Sequence, residues 1–294
     1  MRPRQADALL LAATGIWGVS FVAVKATLAY TTPLALVALR FALAAVVLAP
    51  GTALARRPSK GELSGGMLLA ALIAVGFATQ HEGLVYTTPS RSAFLVAISS
   101  VVAPPIAFVA LGQRTRWLAV AGLAVAGVGT YLLTAPQAGG LNRGDVWTLG
   151  TAVVFGAQIV AVRELGIRYD ARRLVWLQAA GTALVVGAAA LLVERPHIRW
   201  TAAFVTLLVY CGILPTAVAF LWQMRAQRYM SAARAALIFC FEPVFAAAAS
   251  WLVLGERLAA SQWAGGVLIL VAMLAVDLPT GARAADRPST DQRS

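Results

Sequence analysis

Charge is scarce in this chain. Asp, Glu, Lys and Arg make up 12% of its 294 residues, whereas a soluble globular domain carries about 25%. Histidine is limited to His81 and His197, and lysine to Lys25 and Lys60. With so few titratable groups, a metal cluster or a nucleophile–base pair has little to be built from. The two cysteines, Cys211 and Cys240, lie inside apolar runs. They form neither a metal-ligand spacing nor a disulfide framework and read as small core residues. No phosphate-cradling glycine loop of the P-loop type is present, which excludes ATP hydrolysis by that route. Polar loops are short, so no soluble domain carries a separate activity. The net charge of +12 does not indicate nucleic acid, because the basic residues scatter over short loops and no aromatic side chains interleave with them. No cofactor is implied.

What the chain has in abundance is apolar length. Hydrophobic residues make up 60%, and the mean hydropathy is +0.78. A bilayer core takes about 20 apolar residues per helix. Ten windows qualify: 7–26, 33–50, 64–86, 92–112 and 116–134, then 145–163, 174–193, 201–224, 232–254 and 259–277. The fold expected is all-α and integral to the membrane. The basic start followed by the uncharged run Ala8–Val24 superficially suggests a signal peptide. With no small-residue cleavage site, it reads as a retained first helix.

The windows form two sets of five because the sequence repeats. Residues 80–128 recur at 223–271 without a gap, and twelve pairs are identical, among them Gln80/Gln223, Arg91/Arg234 and Gly122/Gly265. A second match, displaced by 138 residues, starts each half. It sets Asp7 on Asp145, Gly18 on Gly156, Val22-Ala23-Val24 on Val160-Ala161-Val162, Lys25 on Arg163 and Trp17 on Phe155. An odd number of spans per copy turns the copies upside down relative to one another, the arrangement of alternating-access transporters with a midplane site. The repeats are expected at 1–138 and 139–278, followed by a disordered cytoplasmic tail at 279–294. Placing the N-terminus inside puts 17 of the 24 cations in cytoplasmic segments, six outside and Arg40 within a helix. That bias predicts cytoplasmic location for both termini.

Charges at membrane depth cost about 2.5–3.5 kcal/mol each on the insertion scale, so they point to sites. Glu242 sits mid-window beside Pro243, which kinks the helix and frees a carbonyl. Its carboxylate reads either as a proton-coupling or substrate-contacting group, or as a cap for backbone groups at the kink. The run Thr79-Gln80-His81-Glu82 lies near the external end of the third window. There His81 reads as a proton-moving or anion-contacting group, or the cluster reads as wetted interface. Either Arg40 or Lys25 is expected to pair with Glu82 and pin helices together. Ten aromatics are candidates for a cavity wall: Trp17, Phe21, Phe77, Phe94, Phe155, Trp176, Phe220, Trp222, Phe239 and Phe241. Trp17, Ser20 and Phe21 share one helical turn, and repeat-related Phe155, Gln158 and Ile159 share another. That symmetric pair suits a site on the repeat axis.

Trp17-Gly18-Val19-Ser20-Phe21-Val22-Ala23-Val24-Lys25 resembles the first-helix signature of the drug/metabolite transporter superfamily, EamA type. Ala38-Leu39-Arg40-Phe41, Glu242-Pro243-Val244-Phe245 and Leu254-Gly255-Glu256-Arg257 are similar to its later motifs. Within it the chain looks most like YddG-type exporters of aromatic amino acids and methyl viologen. The resemblance implies a ten-helix bacterial inner-membrane exporter that works without ATP. It also implies site or supporting roles for Lys25, Arg40 and Glu242. The expected partners are the lipid bilayer and a small-molecule substrate, an amino acid or an amphipathic drug; a monomer suffices. Two departures stand out. Gln113 replaces the second half's Glu256, and the first-helix glutamate of the four-helix multidrug relatives is absent. Rival readings are a broader toxic-compound exporter, an intramembrane enzyme and a channel. The enzyme lacks a catalytic cluster, and the channel lacks polar rings along a pore.

Overall fold

The computed structural model describes residues 1–52, 57–113, 117–134, 142–254 and 259–277. The predicted tail, Gly255-Glu256-Arg257 and Arg114 lie outside the described residues. Among those residues the chain is helical, with one isolated bridge between Thr31 and Ile198 and no strand. Thirteen α-helices follow in order: α1 Pro3–Thr27, α2 Pro33–Leu48, α3 Lys60–Tyr86, α4 Pro89–Ala97, α5 Ser99–Leu111, α6 Trp117–Thr134, α7 Arg143–Arg168, α8 Ala171–Ala189, α9 Ala202–Gly212, α10 Ala219–Gln227, α11 Ala232–Phe239, α12 Glu242–Leu254 and α13 Ala260–Asp277. Two π-helical stretches interrupt them. Ala190–Glu194 extends α8, and Ile213–Val218 joins α9 to α10.

Among the described residues, seven helical stretches are long and apolar enough to cross a membrane, and three shorter apolar helices, Pro33–Leu48, Val120–Leu132 and Trp263–Ala272, accompany them. This is a multi-pass membrane protein. Large apolar side chains such as Val109, Trp117, Leu184 and Leu192 stand exposed on its outside, where a soluble protein would not tolerate them in such number.

Local chemistry fixes the helix starts. Ser59 and Glu62 form a reciprocal capping box at α3: Ser59 Oγ accepts from the Glu62 amide at 3.1 Å, and the Ser59 amide donates to the Glu62 carboxylate at 2.8 Å. Asn142 and Asp145 repeat the device at α7. Asp170, Thr201 and Ser231 cap α8, α9 and α11. α2 starts at Pro33 with no cap from Thr32. Its free amides at Leu34 and Ala35 donate instead to Glu194, from the distant end of the α8 extension.

Three of the windows are interrupted away from their ends. Window 92–112 breaks at Ile98 between α4 and α5, and 232–254 breaks at Cys240-Phe241 between α11 and α12. Pro243 was expected to produce the kink. The break lies just before it, and the first half breaks at the equivalent place, where Ser100 stands instead of proline. Both breaks therefore belong to the shared packing, and Pro243 fills the second position of α12, where a missing amide costs nothing. Window 201–224 carries the π stretch. Pro215 there has no amide to give Cys211 O, and Thr216 Oγ1 donates to that carbonyl at 2.6 Å.

The main packings are α3 on α7 and α8, α2 on α8, α9 and the π stretch, α5 on α7, α1 on α10 and α12, and α6 on α13. A core of Val37, Phe41, Leu69, Ile73, Leu174, Val175 and Met224 lies between α2, α3, α8 and α10. A second cluster draws Leu10, Ala107, Ile159, Met230 and Ile238 together from α1, α5, α7, the turn after α10, and α11.

Candidate functional site

Between these clusters lies a cavity whose space open to the centre of a water molecule is about 70 Å³, room for several waters. Trp17, Ser20 and Phe21 of α1, Arg40 of α2, Gln80 and His81 of α3, Phe155 and Gln158 of α7, and Glu242 of α12 all line it. Nine of the predicted site residues thus converge. Trp176, Lys25, Glu82 and Pro243 do not line it. Of the ten aromatic candidates, Phe77, Phe220 and Phe239 join Trp17, Phe21 and Phe155 in the wall. Phe94 instead stacks with Tyr131, and Phe241 is buried in a separate core with Cys240 and Ile269.

The wall is a connected aromatic surface. Trp17 meets Phe220 edge-on at 5.3 Å between ring centroids and Phe239 at 5.9 Å. Phe77 lies 5.4 Å from Phe155 and 6.0 Å from Phe220. Such offset pairs suit ring quadrupoles. The Trp17 ring is held by its own N–H, which donates to Pro215 O at 2.7 Å.

The same π turn positions the cation. Arg40 is 1% exposed. Its Nε donates to Thr216 Oγ1 at 2.9 Å, and its Nη1 approaches His81 Nε2 at 3.4 Å. The guanidinium carbon stands 5.0 Å from the centre of the Phe77 ring. Beside a permanent cation, His81 Nε2 serves as an acceptor, so the ring proton sits on Nδ1. The expected partnership with Glu82 is therefore corrected. Glu82 follows His81 by one residue, about 100° round the helix, which turns it away from Arg40. Lys25 is also engaged elsewhere: its ammonium donates to the carbonyls of Leu84, Val85 and Thr87 at the end of α3, groups a helix C-terminus leaves open.

Gln158 and Gln223 exchange two amide hydrogen bonds, at 3.2 and 3.1 Å, across α7 and α10. The repeat-related residues Ser20 and Gln80 line the same cavity, but Ser20 Oγ donates to Trp17 O. Gln223 and Thr216 were not predicted for the site. Gln223 was legible as the repeat mate of Gln80. Thr216 was not, because its role arises from the π turn at Pro215.

Both broken helices present their restart to the cavity, through Ser99 of α5 and Glu242 of α12. The backbone there is gripped by glycines. A Cβ on Gly18 would stand 2.6 Å from Glu242 O, and one on Gly156 would stand 3.3 Å from Ser99 O.

A profile of the EamA-like transporter family matches residues 4–135 and, a second time, residues 142–276. The chain belongs to the EamA-like transporter family. The family and its relatives are transporters rather than enzymes. An uncharacterized transporter of Archaeoglobus fulgidus is 29% identical, covering 90% of this chain and 82% of its own length. An uncharacterized transporter of Bacillus subtilis is 28% identical, over 96% and 95% of the two chains. A Streptantibioticus cattleyicolor protein named "Probable terminal-alkyne amino-acid exporter" is 29% identical, over 94% and 95%. A solved structure shares the fold with a TM-score of 0.79 at 19% identity, covering 97% of this chain and 99% of the other.

Proposed function

We propose that this EamA transporter is a ten-span exporter of small amphipathic metabolites, amino acids with large side chains among them. It works without ATP by alternating access in a bacterial inner membrane, with both termini cytoplasmic. Two inverted repeats, 1–138 and 139–278, carry the spans. The helix packing supports this arrangement. Under the sequence repeat α1 corresponds to α7, α2 to α8, α3 to the α9–α10 span, and α5 to α12. The packing of α3 on α7 then has its mate in α10 on α1, α5 on α7 in α12 on α1, and α3 on α8 in α9 on α2. The packings of α2 on α8 and of α6 on α13 map onto themselves. Any two-fold relation between the repeats produces this pattern, and an odd number of spans in each copy would put its axis in the membrane plane.

The observation that carries the functional reading is the cavity, where aromatic walls from both halves surround a buried arginine and a carboxylate. Apolar surface with a few fixed polar groups recognises a small amphipathic molecule. The name of the Streptantibioticus relative favours amino acids. Proteoliposomes holding the full chain test the reading. Saturable uptake of a labelled aromatic amino acid, stimulated by the same amino acid inside, is the expected result. Flux that never saturates would instead identify a pore. Single cysteines placed at Arg91 and Arg234, which share a position in the repeat, should label from opposite sides. Labelling from one side would overturn the inverted topology.

A further inference from the structure

The cavity holds a guanidinium and a carboxyl group that have no ionic partner among the described residues. Arg40 forms no ion pair with any described residue, and neither does Glu242. A guanidinium offers five N–H donors, and the structure engages Arg40 through Nε and Nη1 alone. Both of those partners, Thr216 and His81, are uncharged acceptors. Removing an ion from water without a counter-ion costs several kcal/mol, so an anion entering the cavity gains what Thr216 and His81 leave unmet. Glu242 sits in the first turn of α12. Its side chain lines the cavity, and no described residue donates it a hydrogen bond. Arg40 and Glu242 approach from separate parts of the bundle. Arg40 sits on α2, which packs against α8 and α9; Glu242 begins α12, which packs against α1 and α4. Trp17, Phe77, Phe155 and Phe220 line the same cavity.

Resting on the transport reading above, we propose that the cavity binds its substrate as a zwitterion. Arg40 reads the carboxylate, Glu242 reads the ammonium group, and the aromatic wall takes the side chain. A molecule with both charges leaves neither buried group uncompensated. A molecule with one charge leaves the other bare, which sets the specificity against amines and against simple acids.

The test is counterflow of labelled phenylalanine in proteoliposomes holding the full chain, with three competitors: phenylalanine, phenylalaninamide (no carboxylate) and N-acetylphenylalanine (no ammonium group). The wild-type protein should prefer phenylalanine over each derivative by about 10- to 100-fold, the range set by losing one charge-assisted hydrogen bond in a buried site. Arg40→Gln should bring the preference over the amide to about one and keep the preference over the N-acetyl compound. Glu242→Gln should do the reverse. Thr216→Val keeps the cation but removes the acceptor of its Nε, so it should raise KM for phenylalanine more than for the amide. It covers the case in which Arg40→Gln does not assemble. Wild-type protein that accepts all three competitors equally, or variants that keep both preferences, would overturn the zwitterion site while leaving a transporter. Absence of saturable phenylalanine counterflow in the wild type would overturn the amino-acid reading itself, and the zwitterion site with it.

Discussion

Gly18→Ala probes how closely α1 must approach the restart of α12. The added methyl would stand 2.6 Å from both Glu242 O and Phe245 Cβ, and 3.0 Å from Ala246 N. Ordinary contact begins near 3.4 Å, so the helices must separate by several tenths of an ångström. The opposing atoms are backbone or Cβ, so no flexible side-chain end can swing aside. Overpacking of this kind costs about 1–3 kcal/mol, whereas alanine in an unhindered helix position gains about 0.5–1 kcal/mol over glycine. Gly150 and Gly127, which meet nothing within 4 Å, provide those unhindered positions. In thermal unfolding of the detergent-solubilised protein, Gly18→Ala should melt several degrees below the wild type. Gly150→Ala and Gly127→Ala should match or exceed it. Gly156→Ala, whose nearest contacts are 3.0 Å to Val102 Cγ1 and 3.3 Å to Ser99 O, should fall between. Because Glu242 moves with its own backbone, Gly18→Ala should also weaken substrate competition more than its loss of stability explains. If Gly18→Ala melts with Gly150→Ala and transports normally, the close approach is not required and the glycine grip is wrong.

Other tests follow from single contacts. Removing either partner of the Gln158–Gln223 amide pair by substitution to Leu leaves a buried amide unmatched, costing about 1–3 kcal/mol; the double substitution should cost less than the sum, and simple additivity in the melting data would show that the pair is not coupled. The ion pair between Asp7 and Arg234, at 2.7 and 2.8 Å, joins α1 to α11. Asp7→Asn should lower stability by about 0.5–1 kcal/mol in low salt and by less in high salt, so a loss independent of salt would count against a Coulombic contact. Cys211 and Cys240 are buried, so maleimide should modify neither until the protein unfolds. Fast native labelling would contradict the packing.

The sequence carried the parts of this structure that depend on composition and period. Apolar windows located helical stretches. The cost of charge in lipid singled out Arg40, His81 and Glu242, all of which line the cavity. What stayed hidden depends on the rotation of one helix against another. Trp176 and Trp17 look alike as aromatic residues in apolar windows, but only one faces inward. Lys25 and Arg40 both looked like partners for Glu82 because depth along a helix can be counted from sequence, whereas azimuth compounds across every irregularity. The break at Ile98 had no local marker, since Ser99-Ser100 carries no proline. Thr216 acquired its place from a backbone defect, which residue type alone does not announce.

The π turn at Ile213–Val218 works as a phase shifter. One surplus residue in a turn advances everything beyond it by about 100°. Phe220 and Gln223 look into the cavity, and Gln227 is fully buried with its amide on Ile159 O, because that surplus is there. Trimming one residue from the bulge would swing this polar and aromatic stripe towards lipid while leaving helix content untouched. The hollow would then have a blank wall, in a protein that still inserts and still looks helical by circular dichroism.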